Sequence, residues 1–117
     1  AFRNLPPHLR ARYFEPDASG WRVSSDFHSR IKWGIANLIE ESQIAPLAAA
    51  DFIFCRNVFI YFSQNAISRV VRSFSRFIRP PGYLFVGAAE SLLRLTTDFT
   101  LTEVDDAFVY LKREKAI

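Results

Sequence analysis

Three polar residues, Cys55, Arg56 and Asn57, stand at the end of an apolar run in the segment DFIFCRNVFIYF, residues 51–62. A guanidinium and an amide can hold a polar or anionic ligand, and the phenol of Tyr61 follows them closely. The run is typical of a strand covered on both faces, and ligands of open α/β sheets bind beyond the carboxyl ends of the strands. The pattern therefore indicates a ligand site. A structural role is the alternative, because an Arg-Asn pair after a strand can also cap a helix or pair with a carboxylate.

A second segment, GAAESL, offers a carboxylate. Glu90 in this segment is a candidate site residue, although a carboxylate there can equally begin a helix. Cys55 is interpreted as a small buried hydrophobe and not as a nucleophile, because neither His8 nor His28 lies in a matching motif. With one cysteine and two distant histidines, we expect no metal site.

The elements that would position these groups are a strand, a helix and a second strand. Residues 51–55 predict the first strand, and Ser63 is a good N-cap for a helix with apolar residues at helical spacing. The segment RPPG ends that helix before a second strand over 83–86, and a tight turn at Asp105 and Asp106 predicts a closing hairpin. A right-handed strand–helix–strand crossover predicts an α/β fold with a parallel sheet, which the hairpin makes mixed.

The N-terminal part of the chain gives weaker signals. A short helix is expected over 6–12, because proline is tolerated in a first turn, and residues 15–20 predict a turn. Partial alternation in WRVSS and RIKWGIANL predicts two strands, with the apolar residues at 31, 33 and 35 on one face and a helical turn at 26–29 between them. The segment LIEESQIAPLAAA begins as a helix, but Pro46 argues against a long continuous one.

The composition limits the function. Half of the 117 residues are hydrophobic and the formal net charge is +3, which indicates one globular domain or part of one. The apolar runs are far shorter than a membrane span, so we expect no membrane insertion, and the lone cysteine suits a reducing cytoplasm. The absence of an initiator Met suggests an excerpt from a longer protein. A row of arginines on the predicted helix is interpreted as a solvated face and not as a nucleic-acid site: Arg69, Arg72, Arg76 and Arg79.

The segments CRNVFIYF, PGYLFVGAAESL and AFVYLKR resemble the C-terminal portion of the CheR chemotaxis receptor methyltransferases. Upstream, LPPHLRARYF, WRV and IANL follow in the family's order, so the resemblance covers nearly the whole chain. It implies that residues 1–117 are a partial methyltransferase domain. The implied fold is the C-terminal half of a Rossmann-like class I methyltransferase sheet over 51–117, with a small β-subdomain at about 21–36.

The resemblance also implies roles for single residues. Asn37 and Leu38 match positions on the adenosine side of S-adenosylmethionine, and Arg56 and Asn57 match positions that contact this cofactor. Tyr61 matches a residue near the transferred methyl group and, with Arg56, is the expected catalytic residue. The implied enzyme is a protein-glutamate O-methyltransferase that acts on methyl-accepting chemotaxis receptors and releases S-adenosylhomocysteine. Two alternatives stay open, because Tyr61 could be a core aromatic and Asn37 could cap the following turn.

Two features of the family are missing from this chain, namely the glycine-containing cofactor loop and the acidic residue that binds the ribose hydroxyls. We therefore expect the isolated chain to be inactive. The first strand of the family's sheet would also lie outside it, so we expect self-association through the open edge of the strand at 51–55. The alternative hypothesis is a non-catalytic module that binds a receptor or a regulator.

Overall fold

The computed structural model describes residues 2–87, 90–92 and 94–114. The chain divides into two compact units, residues 1–35 and residues 36–117. The first unit contains helix α1 (Pro7–Tyr13), strands β1 (Phe14–Asp17) and β2 (Gly20–Val23), and the short helix α2 (Ser25–His28). The second contains helices α3 (Glu41–Ala48) and α4 (Gln64–Phe77), strands β3 (Phe52–Cys55), β4 (Gly82–Val86), β5 (Thr100–Val104) and β6 (Ala107–Lys112), and a 3-10 turn (Phe59–Tyr61).

The two strands of the first unit form a local antiparallel hairpin in which Phe14 pairs with Val23. The backbone N–H of Ser19 donates to the carboxylate of Asp17 at 2.9 Å, and Gly20 has a φ of 135°, which glycine adopts without steric penalty. The predicted strand over 31–35 is wrong, since residues 31–37 form neither helix nor strand. Val23 pairs instead with Phe14 of β1, across the two-residue turn at 18–19, so β2 does not pair with residues 31–35. Part of the predicted turn at 15–20 is strand β1 instead.

The second unit contains a mixed four-stranded sheet of order β3-β4-β6-β5. Strands β3 and β4 are parallel, with Phe52 beside Tyr83 and Cys55 beside Val86, and α4 connects them. Their carboxyl ends therefore lie at the same edge of the sheet. Strand β6 runs antiparallel to both β4 and β5. The predicted α/β class, mixed sheet and closing hairpin are confirmed.

Helix α4 forms because its sequence caps its start and buries one face. The hydroxyl of Ser63 accepts a hydrogen bond from the N–H of Ala66 at 3.1 Å. Val70, Val71 and Phe74 on one face are buried in the core, each contributing about 1.5–3 kcal/mol by area. The arginines of the opposite face are exposed, as predicted for a solvated surface. Helix α3 contains Pro46 and ends two residues beyond it, at Ala48.

Strand β3 lies at the edge of the sheet, and only one of its faces is covered. Cys55 is buried in the core, whereas Phe52 and Phe54 are exposed, the latter by 69%. The prediction of a strand covered on both faces is therefore wrong in this chain, because the described residues place the packed helices on one side only. On the other side Phe54 stacks on Phe85 with ring centroids 4.5 Å apart, forming an open aromatic layer.

No helix in the described ranges is both long and apolar enough to cross a membrane.

Candidate functional site

Glu90 joins the segments that follow β3 and β4. One carboxylate oxygen, Oε1, accepts hydrogen bonds from the backbone N–H groups of Asn57 and Gly87, both at 2.7 Å. The other, Oε2, accepts from the N–H of Phe59 at 2.8 Å. The side chain is buried, with Glu90 only 8% exposed. We call Glu90 and these three N–H groups the carboxylate clasp, since it holds together two loops that are more than thirty residues apart.

The electrostatics of the clasp favour an ionised carboxylate. Burial opposes ionisation, but the three backbone donors and the nearby charge of Arg56 outweigh it, so the pKa of Glu90 lies below its usual value. Cys55 shows the opposite behaviour. Burial, and then the negative charge of Glu90, raise the pKa of its thiol to about 11. A neutral buried thiol fits the interpretation of Cys55 as a small hydrophobe.

The backbone at the clasp is unusual in two places. Asn57 has a φ of 61°, a left-handed conformation that few residues other than glycine adopt. Gly87 has no room for a side chain, because an added Cβ would lie 2.5 Å from Oδ1 of Asn57 and 2.6 Å from Oε1 of Glu90. The close approach of the two loops therefore requires glycine at position 87.

Arg56 stands between two cavities, one on each side of the edge strand. The first, which we call the sheet-end cavity, has a volume of about 470 Å³ and is lined by Phe54, Phe85, Glu90 and Phe108, among others. Because β6 is antiparallel to β4, the start of β6 reaches this end of the sheet. Arg56 is exposed and borders both this cavity and the second one.

The second, which we call the helix-side cavity, has a volume of about 360 Å³. Leu38, Ile53 and Val58 contribute apolar walls to it, and Arg56 contributes a cation. Both volumes are typical of small-molecule sites, which are mostly apolar with a few fixed polar groups. This arrangement can hold a ligand that has an apolar ring system and an anionic group.

The structure brings together some of the predicted site residues. Leu38 and Arg56 line the same cavity although they are eighteen positions apart in the sequence. Asn57 follows Arg56 at the strand end, and its N–H belongs to the clasp. Tyr61 ends the 3-10 turn and is 82% exposed, so it does not belong to the core of the described residues, and its catalytic role stays a prediction.

Asn37 serves the local backbone. Its Oδ1 accepts a hydrogen bond from the N–H of Ile39 at 3.1 Å, and its own N–H donates to Oε1 of Gln43 at 2.7 Å. This is the turn-capping alternative, and a cofactor contact by Asn37 stays a prediction.

The sequence does not predict the role of Glu90, because a carboxylate at this position fits both a helix start and a site residue. The only local signal is a carboxylate three positions after a glycine at a strand end. Within the described ranges, no group of three or more His, Cys, Asp or Glu is placed to hold a metal ion.

The fold and the site define a class: an α/β protein with polar groups at the carboxyl ends of neighbouring parallel strands, where such sheets bind ligands. Residues 1–108 match the sequence model of the family described as CheR methyltransferase, SAM binding domain. The chain belongs to this family, as its resemblance predicted.

Named relatives agree with this assignment. The chain is 35% identical over 109 residues to the chemotaxis protein methyltransferase of Vibrio anguillarum, covering 92% of this chain and 39% of the relative. It is 33% identical over 109 residues to chemotaxis protein methyltransferase 1 of Pseudomonas aeruginosa, with the same coverage. It is also 31% identical over 116 residues to the probable biofilm formation methyltransferase WspC of Pseudomonas aeruginosa, covering 99% of this chain and 28% of the relative. The chain thus spans well under half the length of these relatives.

Proposed function

We propose that this chain supplies part of the cofactor and substrate site of an S-adenosylmethionine-dependent methyltransferase that acts on glutamate side chains of methyl-accepting chemotaxis receptors. The observation that carries the proposal is the position of Arg56, at the carboxyl end of β3 and on the wall of two cavities, in a chain of the CheR family. Relatives named chemotaxis protein methyltransferases support methyl transfer in chemotaxis, and the receptor glutamate as substrate follows from the family resemblance.

The helix-side cavity suits part of this cofactor. Leu38 and Val58 offer apolar surface for an adenosine group, and the guanidinium of Arg56 can pair with an anionic group such as a carboxylate. Asn57 follows Arg56 in the turn held by the clasp, and its side-chain amide, which has both donor and acceptor atoms, lies beside Gly87. We propose that these residues, with Asn37, hold S-adenosylmethionine and the product S-adenosylhomocysteine.

For this reaction, the main task of the protein is to align the cofactor with the substrate glutamate. When bound, S-adenosylmethionine would supply a methyl group on a sulfonium, and transfer of that methyl to a glutamate carboxylate oxygen with cleavage of the carbon–sulfur bond would give a methyl ester and S-adenosylhomocysteine. An enzyme favours such a transfer by orienting the partners and excluding water. The exposed phenol of Tyr61 is available to orient the incoming glutamate. A single phenol hydrogen bond holds a carboxylate more weakly than a guanidinium does, which leaves the glutamate nucleophilic.

We place this reaction in the cytoplasm, where the lone thiol of Cys55 stays reduced. We also propose that the isolated chain does not catalyse it, because the chain matches only 28–39% of the length of the relatives named above. The remaining part of a longer native protein would complete the site.

The test is isothermal titration of the native full-length protein with S-adenosylhomocysteine, for wild type, Arg56→Ala and Arg69→Ala. Loss of a hydrogen bond to a charged group predicts binding weaker by about tenfold or more in Arg56→Ala. Arg69→Ala is the matched control, because Arg69 is an exposed arginine on α4. Unchanged affinity in Arg56→Ala, or unfolding with unchanged affinity in the folded fraction, would make Arg56 a structural residue.

The same titration separates the enzyme from the alternative, a non-catalytic module that binds a receptor or a regulator. A full-length protein that binds a receptor cytoplasmic domain but not S-adenosylhomocysteine would favour the module.

A further inference from the structure

The carboxylate clasp controls the backbone from which the proposed cofactor residues project. Asn57 lies directly after Arg56, and its N–H is bound to Oε1 of Glu90 at 2.7 Å. The same oxygen binds the N–H of Gly87 on the neighbouring loop. Beyond the pairing of Cys55 with Val86 in the sheet, Glu90 therefore links the turn that carries Arg56 and Asn57 to the loop after β4.

The left-handed backbone at Asn57 gives the turn after β3 its shape. Asparagine adopts this conformation more readily than other residues that carry a side chain, and the hydrogen bonds to Glu90 hold the turn in it. Two hydrogen bonds hold this part of the turn, one from the N–H of Asn57 itself and one from the N–H of Phe59, two residues later. Both donate to the same carboxylate, so one side chain holds the whole turn.

We propose that Glu90 is a positioning residue for cofactor binding: its buried carboxylate fixes the turn after β3 so that Arg56 and Asn57 face the ligand. This inference rests on the proposed function, and it assigns Glu90 no chemical step. Its two oxygens already accept three backbone hydrogen bonds, and transfer of a methyl group to an ionised glutamate needs no general base.

Glutamine at position 90 is the sharpest perturbation, because it keeps the shape and removes one acceptor. The amide oxygen of Gln can replace Oε1, which binds Asn57 and Gly87, or Oε2, which binds Phe59, but not both. The amide NH₂ group then faces a backbone donor. At least one N–H of the turn therefore loses its partner, and the turn after β3 loosens while the core stays packed.

The experiment measures S-adenosylhomocysteine binding by titration and the thermal midpoint for the native full-length protein and three variants. Glu90→Gln is expected to raise the dissociation constant about tenfold, because a displaced Arg56 would lose its charged hydrogen bond to the ligand. Glu103→Gln is the charge control, because Glu103 is an exposed glutamate on β5. Val71→Ala is the stability control: it opens a cavity in the buried face of α4, and it is expected to lower the thermal midpoint without weakening binding.

An amide spectrum of the wild type gives a readout that needs no variant. On addition of S-adenosylhomocysteine, the backbone resonances of Asn57, Phe59 and Gly87 are expected to shift, while those of Gly82 and Lys112, at the opposite end of the sheet, stay in place. If the resonances of the clasp do not shift when S-adenosylhomocysteine is added, the inference is refuted, even if Glu90→Gln does not fold.

The outcomes separate the two proposals. A wild type that does not bind S-adenosylhomocysteine refutes the proposed function, and this inference falls with it. A wild type and a Glu90→Gln variant that bind equally well refute the inference alone. Weaker binding in Val71→Ala equal to that in Glu90→Gln would also refute it, because general loss of stability would then explain the effect.

Discussion

Gly87→Ala tests how closely the loops after β3 and β4 approach each other. A Cβ at this position would lie 2.5 Å from Oδ1 of Asn57 and 2.6 Å from Oε1 of Glu90, far inside normal contact distance. The Asn57 side chain is exposed and can rotate away. The Glu90 oxygen cannot move without weakening its hydrogen bonds to the N–H groups of Asn57 and Gly87.

The magnitude follows from those two hydrogen bonds. Loss of one hydrogen bond to a charged acceptor destabilises by about 1.5–3 kcal/mol, so partial loss of two predicts about 3 kcal/mol for Gly87→Ala. That is a large share of the roughly 5–15 kcal/mol by which folded domains are stable. With a urea m-value of about 1–3 kcal/mol/M, the midpoint of unfolding should fall by roughly 1–3 M.

The assay is equilibrium urea unfolding of this chain at low concentration, for wild type, Gly87→Ala and Gly34→Ala. Gly34 is the matched control, because a Cβ there would meet nothing within 4 Å, and its substitution should change the free energy of unfolding by about 0.5 kcal/mol or less. Equal midpoints for Gly87→Ala and wild type would refute the close approach, and with it the geometry of the clasp.

Three further predictions concern Tyr61, Cys55 and strand β3. Tyr61→Phe is expected to leave the free energy of unfolding within about 0.5 kcal/mol of wild type, since the hydroxyl is on an exposed side chain, while methyl transfer to receptor glutamates slows at saturating cofactor; unchanged turnover would remove Tyr61 from the mechanism. The Cys55 thiol, with a pKa of about 11, is ionised in about one molecule in a thousand at pH 8, so iodoacetamide should label the native chain far more slowly than the urea-unfolded chain; similar rates would contradict its burial. The isolated chain is expected to self-associate through the open edge of β3, and light scattering that shows a stable monomer at high micromolar concentration would rule this out.

The central part of the fold could be predicted because its signals are local. Ser63 caps α4 through the N–H of Ala66, three residues away, and the apolar spacing of that helix marks its buried face. A strand on each side of such a helix leaves few arrangements open, and the parallel pairing of β3 and β4 is the commonest of them. The hairpin of β5 and β6 was equally readable, since Asp105 and Asp106 form the turn between its strands.

Errors arose where the outcome depended on a partner. Alternation at positions 31, 33 and 35 indicates a strand only if another strand lies beside it, and β2 pairs with the adjacent β1 instead. Likewise, the apolar run of β3 is the same whether one face or both faces are covered. Its sequence therefore could not predict that Phe52 and Phe54 would be exposed.

The role of Glu90 could not be predicted for a different reason. Its partners are backbone N–H groups 31 and 33 residues away, at Phe59 and Asn57. A backbone donor is present at every position except proline, so a contact of this kind leaves no pattern of side-chain types in the sequence. Only the fold, which places the ends of β3 and β4 side by side, makes the contact visible.

The candidate site therefore contains both exposed and buried residues, and substitutions in these two sets should differ in their effects on ligand binding and on stability. Arg56 and Tyr61 are exposed, so their loss should affect the ligand and leave the fold nearly unchanged. Glu90 and Gly87 are buried, and substituting them should reduce both ligand binding and stability. The reason is that the same hydrogen bonds stabilise the loops and position the exposed side chains. Reduced stability in a clasp variant is consequently no argument against a role in binding. What distinguishes the clasp from ordinary core packing is a loss of affinity larger than that of a core variant with the same loss of stability.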